Sequence, residues 1–231
     1  FHLHILLSEP LPYLFVKFLA QTMKYYIEAT YKIMEEEGID MVTIRKISDI
    51  AGYNSATLYN YFENLDHLIA FASLKYLKSY ADNLINYTKK SKNSYDKYLR
   101  IWECFCYYSF QNPVLYHKIF FEEFGNNLNV ALREYYAIFP DELTPDDDID
   151  LKNMLLQYNI YDRTAQSLEK CVKDGYLNQN DIDKVSELSL LIYEGMLDRI
   201  ISKMWKGTLE EATERTIYYI SKSIEAYKIN D

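Results

Sequence analysis

The sequence predicts an all-α protein: an N-terminal three-helix helix-turn-helix head and a C-terminal helical bundle. Three observations carry that expectation. Apolar residues recur at i, i+3, i+4 and i+7 along the 231 residues, and no stretch shows strand-like alternation bounded by hairpin turns. From Asp66 to Lys90 there is neither proline nor glycine to interrupt that period. Thr43–Phe62 reads as two short helices around a tight turn, the arrangement in which a second helix can enter a DNA major groove.

In chain order, Tyr26, Ala29, Thr30, Ile33 and Met34 define a first helix, ended by Gly38. Thr43 stands where an N-cap belongs, its hydroxyl able to accept a backbone N–H of the first turn. Ile44, Ile47 and Ala51 share one face of the second helix, and Gly52 closes it with a left-handed φ at little steric cost. Asn54 caps a third run, Ser55–Tyr61, short, polar and aromatic. Leu58 and Phe62, four apart, should turn into the head's core beside Ile47 and Met34.

Asp66–Lys90 should then be one long helix linking head and bundle, broken at Ser91–Ser94. The next helix carries Tyr95, Tyr98, Leu99, Trp102, Cys106, Ser109 and Phe110 and ends at Asn112-Pro113. Val114–Phe124 follows, closed by Gly125, and the acidic stretch Pro140–Asp150, with two prolines, reads as an exposed loop. Asp150–Asp174 reads as another long helix, stopped by Gly175. Asn180 should cap the penultimate helix, and Thr208-Leu-Glu-Glu211 is a capping box opening the last. The expected total is about nine helices, with no repeat of the roughly 20–50 residues that would mark a solenoid.

Glu28-Ala29, Gly38, Thr43-Ile44-Arg45, Ile47, Ala51-Gly52, Thr57-Leu58-Tyr59, Tyr61-Phe62 and Leu68 agree in order and spacing with one known pattern. Over residues 24–70 the chain resembles the N-terminal signature of TetR-type transcriptional regulators; the remainder is similar only in general organisation. The resemblance implies a cytoplasmic, ligand-responsive, homodimeric DNA-binding protein acting as repressor or activator on a palindromic double-stranded operator. It also implies that the last two helices pair with their copies. Ser186, Ser189 and Gly195 would permit the close approach, with internal packing alone as the alternative. The expected domains are an extension over 1–22, the head over 23–70, and a ligand-binding and dimerisation domain over 71–231. Two residues depart from the family pattern after the cap, Ser55 and Ala56 standing where a basic residue and a glycine are usual. Leu65 replaces a frequent lysine.

The candidate DNA-contacting residues are Thr43, Arg45, Ser55, Ala56, Thr57, Tyr59, Asn60 and Tyr61. Hydroxyls and amides suit phosphates and base edges, and aromatic rings suit thymine methyls. For Tyr59 and Tyr61 an inward reading, packing on the first helix, stays open. Charge opposes the assignment: the chain carries a net −9, and residues 23–70 hold four cations against eight acids. Affinity should therefore be modest and strongly salt-dependent. The rival reading is a helical interaction module that has lost DNA binding.

Tyrosine supplies 24 of the aromatics, which suggests pockets and interfaces with polar fringes. Trp102, Cys106, Phe110, Tyr116, Phe120, Phe124, Tyr158 and Tyr161 are the candidate effector-binding residues. With Glu103, Glu122 and Glu123 on the same helices, a lipophilic and cationic effector is expected. Cys104, Cys106 and Cys171 lack framework spacing and read as free thiols of a reducing compartment. None of His2, His4, His67 and His117 follows a Glu at i−3, and no nucleophile elbow, phosphate loop or HExxH occurs. No catalytic residue, metal ligand or cofactor is expected.

Within residues 1–22, the apolar runs Phe1–Leu7 and Leu14–Ala20 are split by Pro10 and Pro12 and fall short of the roughly 20 residues that span a bilayer. Met23, just before the expected first helix, reads as the natural start, with upstream sequence before it. An apolar arm packed on the dimer is the alternative.

Overall fold

A computed structural model describes residues 13–122, 128–142, 148–157 and 159–229. Among them are twelve α-helices: α1 (Tyr13–Glu37), α2 (Ile44–Ala51), α3 (Ser55–Leu58), α4 (Leu65–Ser73), α5 (Tyr76–Thr88) and α6 (Ser94–Gln111), then α7 (Pro113–His117), α8 (Leu128–Ile138), α9 (Ile149–Leu155), α10 (Ile160–Lys173), α11 (Ile182–Ile201) and α12 (Leu209–Glu225). No strand is present among the described residues; one isolated antiparallel bridge joins Leu177 and Lys228. No described helix is long and apolar enough to cross a membrane.

The chain divides into two compact units. One holds the described residues up to Leu77 with those of Val130–Leu143; the other holds those of Lys78–Asn129 and Thr144–Asp231. In the first, α1 packs against α2 and α4. Tyr26, Ile27, Ile33, Ile47, Leu58 and Phe62 are buried there, as their helical spacing requires. Within this unit Phe139 and Glu142 meet Lys75. Its ammonium donates to Glu142 Oε1 at 2.9 Å and lies 4.4 Å from the Phe139 ring centroid and 5.5 Å from that of Tyr31.

In the second unit α6 lies against α7, α10, α11 and α12. Buried Tyr98 of α6 donates to Ser189 Oγ of α11 at 2.7 Å, satisfying a hydroxyl that would be costly unpaired. The expected capping box opens α12: Glu211 N–H donates to Thr208 Oγ1 and Thr208 N–H to Glu211 Oε2.

Several boundaries differ from expectation, each for a local reason. α1 begins at Tyr13 and runs unbroken through Met23, so no helix boundary lies there. The long helix expected over Asp66–Lys90 is two. Ser73 Oγ bonds back to the Ile69 carbonyl, and the Leu74 and Lys75 amides close on Phe71 and Ala72, three residues back, which tightens and bends the path. Asp150–Asp174 is likewise two helices, because extended Asn159 accepts from Asp162 N–H at 2.8 Å and caps a new start. Asn180 caps nothing: a 3₁₀ turn over Gln179–Asp181 absorbs it before α11. After α7 the chain widens into a π-turn over Lys118–Glu122. Helix α8 was not anticipated at all. The expected loop Pro140–Asp150 holds a 3₁₀ turn, Pro140–Glu142, and the start of α9. Phe124, Gly125, Tyr158 and the extension's residues 1–12 lie outside the described residues.

All three cysteines are free and buried. Burial pushes the Cys171 thiol up to about 11 and those of Cys104 and Cys106 further, so thiolate is scarce at neutral pH. A thiol-disulfide dye at pH 8 should leave native protein untouched and titrate all three thiols in denaturant; rapid native reaction would contradict this packing.

Candidate nucleic-acid interface and effector cavity

The interface is built on two capped helices and a left-handed glycine. Thr43 Oγ1 accepts from Lys46 N–H at 3.3 Å, starting α2. Gly52 ends it at φ 75°, a conformation that costs other L-residues energy. Asn54 Oδ1 then accepts from Ala56 N–H at 2.8 Å, starting α3. The expected run to Tyr61 is shorter as a regular helix. The Asn60 and Tyr61 amides close on Thr57 and Leu58, three residues back, so the last turn is tightened.

Tyr26 of α1 holds this segment from inside. Its ring is fully buried, and its hydroxyl donates to the Asn54 carbonyl at 2.9 Å. Tyr53, Tyr61 and Phe62 surround the ring at centroid distances of 5.8, 6.3 and 6.5 Å. Burial raises the Tyr26 phenol above its ordinary value, and a hydrogen bond from Thr57 opposes the rise. Leu58 and Phe62 complete the inward face. The outward face carries Ala56, Asn60 and Tyr59, the last 51% exposed, which excludes the core alternative for Tyr59. Ser55, Thr57 and Tyr61 are half-buried at its edges, and Thr43 and Arg45 are exposed on the preceding turn.

The head's cations are mostly engaged. Lys24, Lys32 and Lys46 pair with Glu28, Glu36 and Glu37 at 3.9, 3.9 and 2.7 Å. Among the described residues Arg45 makes no ion pair, which leaves it as the open positive charge of residues 23–70.

In the second unit most of the expected effector residues pack on one another. Trp102 and Phe110 stand 5.5 and 5.8 Å from the buried ring of Tyr193, and Phe105 lies 5.7 Å from Tyr116 and 5.2 Å from Phe120. Cys106 is fully buried beside them. Tyr161 is apart, donating weakly to the Asp183 carbonyl at 3.4 Å. Phe105 and Tyr193 were missed, although Tyr193 continues the buried stripe Ser186–Ser189 at i+3/i+4 spacing.

The carboxylates behind the expected cation preference are not in this cluster: Glu122 is exposed and pairs with His117 at 2.9 Å, and Glu103 is half-buried. Glu123 lies outside the described residues. The cavity lies beside the aromatic cluster, between the end of α5, the start of α6, α9 and α10, with a volume of about 480 Å³. Of the described residues expected to bind effector, Trp102 lines a smaller chamber of about 30 Å³, with Ile101 and Met154 also in its wall. No group of three or more His, Cys, Asp or Glu placed to hold a metal occurs among the described residues.

Tyr26→Phe removes the hydrogen bonds to the Asn54 carbonyl and from Thr57 and no packing, so stability should fall by about 1–3 kcal/mol with a cooperative melt retained. A loss beyond about 4 kcal/mol in urea unfolding would show the hydroxyl to hold more than these two partners.

Residues 27–70 match the family profile of bacterial regulatory proteins, tetR family. An uncharacterized HTH-type transcriptional regulator of Haemophilus influenzae is 24% identical over 87 residues, 38% of this chain and 46% of that protein, so the chain spans just under half the length of this curated relative. A TetR transcription regulator from Haloarcula marismortui superposes with a TM-score of 0.53 at 17% identity, covering 91% of this chain and 100% of the other. A protein of Syntrophomonas wolfei assigned to the same family gives 0.55 at 15% identity, over 89% and 95%. Residues 27–70 therefore match the tetR-family helix-turn-helix segment, and the chain shares the fold of TetR-type regulators.

Proposed function

We propose that this chain is a homodimeric repressor that leaves a palindromic DNA operator when a small organic effector occupies the second unit. The observation that carries this reading is the outward face of Ala56, Tyr59 and Asn60 on a segment pinned from within by Tyr26. Thr43 and Arg45 supply phosphate contacts from the preceding helix start, and Ser55, Thr57 and Tyr61 flank the base-reading face. Residues 23–70 are the DNA-reading part, and 71–231 carry effector binding and dimerisation. Weakening operator binding a hundredfold requires the effector to favour the non-binding state by about 2.7 kcal/mol.

Dimerisation is assigned to α11 and α12. Ser186 and Ser189, expected to admit a partner helix, are instead buried within the subunit. The outward residues include Leu191 at 59% exposure, Gly195, Tyr218 and Tyr219, an apolar set that a second copy would cover. Leu191→Arg should yield a folded monomer by light scattering; an unchanged mass would move the interface elsewhere.

The acidic head supports a second reading, an interaction module without DNA binding. Random duplex DNA at low salt separates the two: the regulator binds weakly and salt-sensitively, the module not at all. Tyr61→Ala should abolish specific binding with the dimer intact, and an unchanged gel shift would refute its role. Arg45→Ala should weaken binding across sequences and reduce the slope of log K against log salt by about 1. An unaltered slope would remove Arg45 from the phosphate contacts.

A further inference from the structure

A band of tyrosines crosses the head beside the outward face of α3. Tyr25 of α1 lies 5.8 Å from Tyr53, Tyr53 lies 5.8 Å from Tyr26, and Tyr26 lies 6.3 Å from Tyr61, centroid to centroid. The rings differ in burial: Tyr26 is fully buried, Tyr53 and Tyr61 are half-buried, and Tyr25 is 41% exposed. The band therefore begins beneath α3 and emerges on the surface of α1.

Local geometry puts each ring there. Neighbours on a helix point about 100° apart, so with Tyr26 inward Tyr25 is turned to the surface. Gly52 closes α2 at φ 75° and Asn54 caps α3, which leaves Tyr53 as the single residue between the two caps. Its ring is braced by Tyr25 on one hand and Tyr26 on the other. Tyr53 and Tyr61 both add to the rise of the Tyr26 phenol, as oxygens close to it do.

The hydroxyls are differently employed. That of Tyr26 is spent inside, on the Asn54 carbonyl. Among the described residues those of Tyr25 and Tyr53 have no hydrogen-bond partner in the chain. A braced aromatic side chain loses little conformational entropy when its hydroxyl engages, and a phosphate oxygen accepts from a neutral O–H as it does from a cation. The head has few cations to offer instead, since Lys24, Lys32 and Lys46 are paired with acids.

We propose that Tyr25 and Tyr53 bind the duplex backbone, their phenol hydroxyls donating to phosphate oxygens beside the groove addressed by Tyr59 and Asn60. This deepens the regulator reading and rests on it. It adds two residues that the sequence pattern did not single out, and it supplies affinity from neutral donors. Such donors displace no counterion, so the salt slope is left to Arg45.

Tyr25→Phe and Tyr53→Phe keep both rings and remove only the oxygens. The test measures binding of the full chain to a random-sequence duplex and to a duplex recovered by selection, across a series of salt concentrations. Each variant should melt as the native chain does and bind about three- to tenfold more weakly. The factor should be the same on both duplexes, because a phosphate contact carries no sequence information, and the slope of log K against log salt should not change. Ethylation interference on the selected duplex should lose one phosphate per half-site with each hydroxyl removed.

Unchanged affinity in both variants, a loss confined to the selected duplex, or an altered salt slope would each overturn the proposal. Should Tyr53→Phe fail to fold, Tyr25→Phe on the open face of α1 decides alone. A native chain that binds no duplex defeats this inference and the regulator reading together. A chain that binds DNA equally well with and without the two hydroxyls defeats this inference and spares that reading.

Discussion

The hydrogen bond from Tyr26 to the Asn54 carbonyl is the constraint on which the proposed DNA-reading surface depends. α3 has only four residues in regular helical form, too few to hold an orientation by their own backbone bonds. Its direction is set by what lies beneath: Leu58 and Phe62 inserted in the core, and Tyr26 fixing the carbonyl of the residue that caps it. Because a helix presents opposite faces, that inward set determines which side chains are left outside. The exposure of Tyr59 follows from the burial of Leu58 and Phe62, one residue before it and three after.

Electrostatics then decides how such a surface can act. Three of the head's four cations are tied to acids of α1, so in the proposed DNA complex counterion release would rest mainly on Arg45. Recognition by hydroxyl, amide and aromatic contacts fits such a surface better than a basic clamp.

What could be read from the sequence followed from how local each signal was. Thr43, Gly52, Asn54 and Thr208 act within three or four residues of themselves, and each does in the structure what its side chain implies. The buried stripe of α1 and the inward turn of Leu58 and Phe62 were legible for the same reason. The divisions at Leu74 and Asn159 were harder. Neither involves proline or glycine: one comes from a serine hydroxyl bonding back along its helix, the other from an asparagine cap inside a periodic run. Leu128–Ile138 escaped because its period is short.

The cavity-lining residues of the second unit were only partly legible. Aromatic content marks where rings gather, but a ring filling a core and a ring lining a cavity have the same spacing. Arg163 carried a readable sign, being a cation within the apolar stripe Ile160, Thr164, Leu168 and Cys171. Whether such a residue emerges at the surface or turns inward depends on α9 and α6, and that is a tertiary matter.

Selection of duplexes from a random pool by the full chain, followed by footprinting of the recovered sites, tests the central claim most directly. A homodimeric reader should enrich a two-fold symmetric site whose halves are centred about 34 Å apart, one turn of duplex, with protection in the major groove of each. A pool that yields no enriched sequence, or sites without paired halves, would contradict it.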